Sequence, residues 1–465
     1  MNSTEFEHII SQTPTIGSEM YQLMVDLYPI CRSITGNGVR ESLEIISKHI
    51  PLEIHEVPTG TKVFDWTIPK EWNIRDAYVI SPSGEKIIDF KKLNLHVVNY
   101  SIPINKKISL QELKNHLHTR PDNPDVIPYV TSYYEEAWGF CLSYNEYVKL
   151  TDGEYHVVID SSLENGSLTY GEYFLGGKTD EEILLTCYTC HPSMCNDNLS
   201  GVVLLTMLAK YLSKTQNFYS IRFLFIPETI GAITWLSLNE NKLHKIKHGL
   251  VATWVGNANT LTYKKTRQGN AEIDKVVLQI LKNSNSQYNI LDFFPWGSDE
   301  RQFCSPAFDL PVGSLTRSLY DRTAIFPEYH TSADNLELVK KESLNDSFST
   351  YLSIIYALEQ NNRKTNTKVS NENKIITNSK KGPFYLNLNP KCEPHLSKRG
   401  LYNKFGATKE TPEEMIDKFA LLWLLNLSDG KHSLSDIANR SGLEIRILKK
   451  AANYLLKCGL LKILE

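Results

Sequence analysis

The sequence lacks most features that mark secreted, membrane-spanning or fibrous proteins. Its 465 residues include only eight cysteines, and no basic segment leads into an apolar run after Met1. No uninterrupted apolar stretch reaches the roughly 18 residues that a membrane span requires, and no fixed-period repeat is visible. We therefore expect reduced thiols, a cytoplasmic location and no membrane contact.

Net charge is also small, because 50 basic and 53 acidic residues leave a formal charge of −3. The exception is the stretch 361–409, where eleven lysines and arginines accompany two glutamates, a local charge of +9 (11 − 2). A basic stretch that is poor in apolar residues, such as 363–381, is typical of a solvated linker, with attraction to nucleic acid as the alternative. The length and the 41% apolar content predict two or three globular domains.

The pattern of apolar residues divides the chain. Residues 61–151 contain short alternating runs, among them 96–100, separated by proline and glycine, which predicts a β-rich inserted domain with hairpins. From residue 152 onward, apolar runs of strand length alternate with helical segments. This rhythm predicts an α/β domain, over 1–60 and 152–362, with a mostly parallel, mixed sheet flanked by helices.

Residues 382–465 are predicted to form a separate unit after the linker 363–381. A helix over 415–427, a short helix capped by Ser433, a longer helix over 444–458 and a terminal β-like run are typical of a winged helix. The longer helix carries four basic residues: Arg446, Lys449, Lys450 and Lys457. Because this helix also has apolar positions that belong to a core, we expect a protein partner or a second copy of the chain there, with nucleic acid less favoured.

Residue types that bind a metal follow successive predicted strands. His191 and Asp197 follow one strand, Glu228 follows the next, and His330 lies near the end of the domain. In a parallel sheet these strand ends meet at one edge. Imidazole and carboxylate groups hold a divalent ion, and a nearby glutamate accepts a proton from bound water. Each residue alone has a structural explanation (Asp197 as a helix cap, for example), but their joint placement favours a metal-dependent hydrolase.

Two other interpretations use the neighbouring cysteines. Cys187, Cys190 and His191 match the C-x-x-C-H pattern of haem attachment, and Cys187, Cys190 and Cys195 could bind zinc as thiolates. Haem is disfavoured because Cys187 closes an apolar strand and no second axial ligand is evident. Thiolate binding is disfavoured because side chains three residues apart on a strand point to opposite faces.

These residues resemble the motifs of the co-catalytic zinc aminopeptidases. The resemblance rests on His191, the segment 197–201 (Asp-Asn-Leu-Ser-Gly), Glu228 before Gly231, and His330. It implies that the two histidines and Asp197 are zinc ligands and that Glu228 is the general base. Three further segments resemble a bacterial subfamily of aminopeptidase-like proteins that have a β-rich insert and a C-terminal winged helix and often lie near surface-polysaccharide genes: 28–36, 190–194 and 297–302.

The sequence departs from the aminopeptidase pattern at two positions. Thr229 stands where the second glutamate of the pair is a zinc ligand, and Asn257 stands where the later aspartate is. Two missing carboxylates leave a second Zn²⁺ poorly neutralised. The resemblance with these departures predicts about one zinc per chain, held by His191, Asp197 and His330.

Basic residues suggest how a substrate is held, because a guanidinium group suits a carboxylate or a phosphate. Surface ion pairing is the alternative for each of them. The candidate substrate-binding residues are Arg32, Arg267, Asp299, Arg301 and Arg317. The leading hypothesis is a zinc-dependent hydrolase that cleaves a terminal amide bond of a small peptide or aminoacylated metabolite. The second is a peptidase fold without activity that regulates through its winged helix.

Overall fold

A computed structural model of the chain describes residues 1–284, 286–318, 325–364, 383–402, 406 and 411–464. The helices are α1 (Ser3–Ser11), α2 (Thr13–Leu27), α3 (Asn37–Ser47), α4 (Leu110–Lys114), α5 (Tyr144–Tyr147), α6 (Ser200–Leu212), α7 (Ile230–Leu238), α8 (Glu272–Asn283), α9 (Glu300–Phe303), α10 (Lys341–Lys364), α11 (Pro412–Leu427), α12 (Leu434–Ser441) and α13 (Ile445–Lys457). The strands are β1 (Glu53–Pro58), β2 (Lys62–Val63), β3 (Trp66–Thr67), β4 (Glu71–Ile80), β5 (Lys86–Asp89), β6 (Ile104–Ser109), β7 (Leu117–His118), β8 (Phe140–Cys141), β9 (Glu154–Glu164), β10 (Ser167–Leu175), β11 (Glu182–Tyr188), β12 (Ser220–Ile226), β13 (Ile246–Ala252), β14 (Leu261–Lys264), β15 (Tyr288–Leu291), β16 (Val312–Thr316), β17 (Phe384–Asn387), β18 (Asp429–Ser433) and β19 (Leu461–Leu464).

The main sheet has eight strands in the order β1-β10-β12-β11-β13-β16-β14-β15. Its four central strands, β12, β11, β13 and β16, are parallel to one another, whereas β10 and β14 run antiparallel to their inner neighbours. Every residue of β11, β12 and β16 is buried, as expected for strands covered on both faces. The predicted mixed sheet flanked by helices is confirmed.

Helices cover both faces of this sheet. Helices α2, α3, α6, α8 and α10 pack on one face, and α7, α9 and the β2–β3 hairpin pack on the other. Helix α6 is buried almost all round and starts next to β13. A Cβ atom at Gly201 would lie 2.1 Å from the carbonyl oxygen of Ala252, so only glycine permits this close approach. The turn before α6 is thereby held against the sheet.

The inserted domain is built on a four-stranded sheet in the order β5-β4-β9-β6. Strand β9 lies beyond the predicted boundary at residue 151 and pairs with β4 and β6, so we propose that the boundary falls between β9 and β10. The predicted strand over 96–100 is wrong. A 3₁₀ turn over Asn94–His96 and the positive φ of Tyr100 interrupt the run, and only isolated bridges form there.

The C-terminal unit has the helices α11, α12 and α13 and the three-stranded sheet β18-β17-β19. Ser433 caps α12, as predicted, by accepting a hydrogen bond from Asp436 N. Phe294 and Trp296 of the main domain pack against its apolar core. The predicted linker 363–381 lies almost entirely outside the described residues, apart from the end of α10.

Two further expectations concern the whole chain. All eight cysteines are free thiols. None of the helices in the described part of the chain is long and apolar enough to cross a membrane.

Candidate metal centre

His191, Asp197 and His330 come together at the carboxyl edge of the main sheet. One ligand atom from each lies within 4.8 Å of the others. His330 Nε2 is 3.0 Å from Asp197 Oδ2, yet both atoms are buried without a hydrogen bond of acceptable geometry in the described part of the chain. A buried polar atom without a hydrogen bond calls for an explanation, and a bound ion is one of them. Two imidazoles and a carboxylate with free atoms fit a zinc ion.

The second oxygen of the Asp197 carboxylate is already in use. Asp197 Oδ1 accepts hydrogen bonds from the hydroxyl of Tyr188, the last residue of β11, and from Trp254 Nε1 at 2.7 Å. Burial raises the pKa of Asp197, but the two histidines and the Tyr188 hydroxyl outweigh it and hold that pKa at about 2. Asp197 is therefore ionised at neutral pH, with one oxygen free and the other hydrogen-bonded.

The turn that carries Asp197 is held by Asp334. Oδ1 of Asp334 accepts from the backbone nitrogens of Cys195 and Asn196 at 3.1 and 2.6 Å, and its Oδ2 accepts from Asp197 N at 2.8 Å. Burial and the nearby Asp197 carboxylate raise the pKa of Asp334 to about 7. The alternative explanation of Asp197 as a helix cap does not hold, because α6 begins at Ser200 and has no side-chain cap.

His191 lies between a thiol and the candidate base. Its Nδ1 is 3.3 Å from Cys190 Sγ, and its Nε2 is 3.8 Å from Glu228 Oε2. Burial lowers the pKa of His191 to about 4, so the ring is neutral at pH 7 and Nε2 has a lone pair for a metal.

Glu228 follows β12 and faces the triad. Burial, together with the carboxylates of Asp299 and Asp197, raises the pKa of Glu228 well above its ordinary value. The next residue, Thr229, has φ of 63°. Its nitrogen donates to Asp299 Oδ1 at 2.7 Å, and its hydroxyl oxygen accepts from Arg301 Nη2 at 3.1 Å. Asp299 and Arg301 thus bind the residue that follows the candidate base, and their predicted role in substrate binding stays a prediction.

All four predicted substrate-binding arginines have partners within the described part of the protein, and three of them have no contact with Glu228 or Thr229. Arg32 is buried and donates from Nε to the His191 carbonyl oxygen at 3.1 Å. Arg267 binds Asn426 of α11 and Asp309, where the C-terminal unit docks. These contacts hold the Arg32 guanidinium group against the backbone of His191 and the Arg267 guanidinium group against the C-terminal unit.

Arg317 is the third of these arginines. It pairs with Asp346 and donates from Nε to Ser347 Oγ at 2.8 Å, which joins it to α10. The sequence could not show these partners, because strand position alone does not reveal which acceptors the neighbouring helix supplies.

Asn257 and the cysteines do not join the triad. Asn257 donates from Nδ2 to Ser318 Oγ at 3.1 Å and accepts from Asn259 N at 3.1 Å. No cysteine belongs to the ligand group that the described residues bring together. Burial raises the thiol pKa of Cys187 and Cys190 well above the ordinary value, which disfavours thiolate binding.

Backbone strain concentrates at this centre. Nine non-glycine residues of the described chain have a positive φ. Five of them lie at or next to the residues above: Ser193, Asn198, Thr229, Trp254 and His330. Such conformations persist only where the surroundings hold them, and they cluster at functional sites.

The centre also contains aromatic residues that the sequence analysis missed. Tyr129, from the inserted domain, places its ring 5.2 Å from that of His191 and 5.3 Å from that of His330. Its backbone nitrogen donates to the His330 carbonyl oxygen at 2.8 Å. One sequence signal could have indicated aromatic residues around the centre. Tyr188 is the last residue of β11, and a side chain with a polar tip at a strand end faces the edge where ligands bind.

Comparison with known proteins supports the division into two units. A family model described as "Domain of unknown function (DUF4910)" matches residues 21–361, and a winged helix-turn-helix model matches residues 383–463. A Clostridium acetobutylicum protein, named for polysaccharide biosynthesis and an aminopeptidase-like domain, is 58% identical over 459 residues, 99% of each chain.

Solved structures also resemble this chain. A Clostridium acetobutylicum structure, described as that of a peptidase, is 56% identical with a TM-score of 0.75 and covers 100% of both chains. The zinc aminopeptidase BSAP from Bacillus subtilis is 13% identical with a TM-score of 0.54, over 74% of this chain and 94% of its own. A peptidase M28 precursor from Shewanella amazonensis is 14% identical with a TM-score of 0.53, over 80% and 99%. The last two show that the main domain has the zinc-aminopeptidase fold.

Proposed function

The chain belongs to the DUF4910 family, and from this membership and the geometry of the centre we propose that it is a zinc-dependent hydrolase. Its substrate is a small peptide or an aminoacylated metabolite, cleaved at a terminal amide bond. The observation that carries the proposal is the convergence of buried ligand atoms of His191, Asp197 and His330, with Glu228 beside them.

The roles of the residues follow from their placement. His191, Asp197 and His330 would hold the zinc, which when bound supplies Lewis acidity and lowers the pKa of a water molecule. Glu228 accepts the proton of the attacking water and delivers it to the leaving amine. A raised pKa of Glu228 suits this role, because a carboxylate with a low pKa is too weak a base to take up the proton and pass it on. Tyr129 covers both histidine rings and limits the access of bulk water.

Three observations support one zinc ion rather than two. Asp197 Oδ1 already accepts from Tyr188 and Trp254, which leaves one carboxylate oxygen of Asp197 for a metal ion. The guanidinium group of Arg301 lies 3.1 Å from Thr229 Oγ1 and brings a positive charge to the position of a missing ligand. Asn257 is neutral and uses its amide in other hydrogen bonds.

The names of the relatives bear on the substrate and the location. One is described as a peptidase and one carries a name that includes polysaccharide biosynthesis, which favours an amide carried on a sugar precursor among the aminoacylated metabolites. We retain the cytoplasm as the proposed location. A regulator without activity is less favoured, because it has no need of unpartnered ligand atoms next to an intact Glu228.

Metal analysis with a substrate screen tests the proposal. The purified protein should contain about one tightly held zinc per chain. Turnover of at least one aminoacyl or dipeptide amide should disappear after chelation and return with zinc. A protein that binds no zinc after loading, or turnover that survives complete chelation, would contradict the proposal.

A further inference from the structure

A segment of the C-terminal unit lies across the main and inserted domains near the candidate base. It consists of residues 388–402 and 406, between β17 and α11, and we name it the strap. On the main-domain side, the backbone nitrogen of Cys392 donates to Ser305 Oγ at 3.0 Å. The backbone nitrogen of Glu393 donates to Gln302 Oε1 at 2.9 Å. The strap therefore runs beside the segment that carries Asp299 and Arg301.

The strap also binds the inserted domain. His395 stacks on Trp66 with ring centroids 4.0 Å apart and an angle of 6°. Trp66 Nε1 donates to the Glu393 carbonyl oxygen at 2.7 Å, and the backbone nitrogen of His395 donates to Asp65 Oδ2 at 2.8 Å. These contacts fix both ends of the Glu393–His395 stretch.

The side chain of Glu393 is linked through Arg301 to the residue that follows the candidate base. Its carboxylate pairs with Arg301, and the two side chains are 8% and 15% exposed. Arg301 in turn donates to Thr229 Oγ1, next to Glu228. Breaking a buried ion pair from one side leaves the other charge unpaired, which is far more costly than loss of an exposed pair.

Thr229 needs such support. Its positive φ is a sparsely populated conformation for a threonine. Two groups hold it, the Asp299 carboxylate at its nitrogen and the Arg301 guanidinium group at its hydroxyl. The orientation of Thr229 sets the backbone direction at Glu228, so a loose Arg301 moves the base relative to the triad.

We propose that the C-terminal unit completes the catalytic centre through the strap, and that Glu393 is a positioning residue that holds Arg301 against Thr229. In this chain the winged-helix unit then acts first as an intramolecular clamp. The role assigned to Glu228 rests on the proposed function, whereas the mechanical link from Glu393 to Thr229 does not.

Hydrogen exchange of the full-length protein tests the link without any substrate. Glu393→Ala should speed the exchange of peptide amides over 226–234 at least about five-fold, because local opening becomes easier. Glu393→Gln retains an acceptor for Arg301 and should restore most of the protection. Lys391→Ala, which breaks the exposed strap pair with Glu240, is the matched control and should leave 226–234 unchanged.

Kinetics provide the second arm once a substrate is known. Glu393→Ala should lower kcat about ten-fold with a KM within about two-fold and unchanged zinc content, as expected for a misplaced base. Unchanged exchange over 226–234 in Glu393→Ala, or equal acceleration in Lys391→Ala, would overturn the proposal. Faster exchange with no turnover of any substrate would support the link and count against the hydrolase instead. If Glu393→Ala does not fold, Arg301→Gln, which breaks the same ion pair from the other side, takes its place and is judged by the same criteria.

Discussion

The two sides of the candidate centre use their polar atoms differently. On the triad side, Asp197 Oδ2 and His330 Nε2 are buried with no hydrogen bond in the described chain. On the other side, the backbone nitrogen and the hydroxyl of Thr229 are hydrogen-bonded to Asp299 and Arg301. The triad side therefore offers buried ligand atoms, whereas these atoms of Thr229 are already in use. The fold supplies the edge of the sheet, and the side chains along that edge differ in which atoms they leave for a ligand.

The largest expected effect comes from breaking the triad side. His330→Ala removes one of the three proposed zinc ligands. Because the loss of a residue that only supports a ligand already costs about 10–100-fold in metal affinity, the loss of the ligand itself should exceed that range. Competition with a zinc chelator measures the change, and activity should fall with it. His244→Ala, at an exposed position, is the control, and tight zinc binding in His330→Ala would contradict the assignment.

The next prediction distinguishes the proposed role of Glu228 as a base from the proposed role of the triad in binding zinc. Glu228→Gln keeps the size of the side chain but cannot accept the proton, so kcat should fall about 10²–10⁴-fold. Zinc content should stay near that of the wild type, because Glu228 is not part of the triad. Steady-state kinetics and metal analysis on the same preparation check both statements. Retained turnover would move the base role elsewhere, with Asp299 the next candidate.

The sequence predicted the triad side better than its surroundings. His191, Asp197 and Glu228 could be singled out because residue type and strand-end position coincide, whereas His330 rests on the family resemblance and its place near the end of the domain. Asp334 was missed as the support of the turn, because three backbone nitrogens meet it only after the chain folds back over more than a hundred residues.

The fold was predictable for the same reason. Buried strands and periodic helices carry their own pattern, so most of the main sheet and the three C-terminal helices follow from the sequence. The partners of Arg32, Arg267 and Arg317 could not be predicted, because each depends on which carbonyl oxygen or carboxylate another element presents. The strap was missed because a loop with little periodicity takes its course from its contacts.

A smaller effect should follow from loosening the turn behind the triad. Asp334→Asn keeps the shape but turns one accepting oxygen into a donor that faces a backbone nitrogen. Zinc affinity should fall about 10–100-fold, as for other residues that orient a ligand, and the protein should lose about 1.5–3 kcal/mol of stability. Chelator competition and urea unfolding measure the two losses. Asp26→Asn, on the exposed side of α2, is the control. Unchanged affinity would show that the turn does not need this support.

The smallest effect on the centre is expected at Arg317, whose contacts match those of Arg301. Each arginine pairs with a carboxylate and donates to a hydroxyl: Arg301 with Glu393 and Thr229, and Arg317 with Asp346 and Ser347. Only Arg301 lies beside the base.

Arg301→Gln should therefore lower kcat about ten-fold, in line with loss of a group that orients the base, while Arg317→Gln should leave kcat and KM within about two-fold. Arg317→Gln should instead cost about 1–3 kcal/mol of unfolding free energy, because the Asn259 carbonyl oxygen loses its donor. Kinetics and urea unfolding of both variants test the contrast. A raised KM in Arg317→Gln would indicate that Arg317 binds the substrate. Equal kcat values in the two variants would show that Arg301 has no positioning role at Thr229.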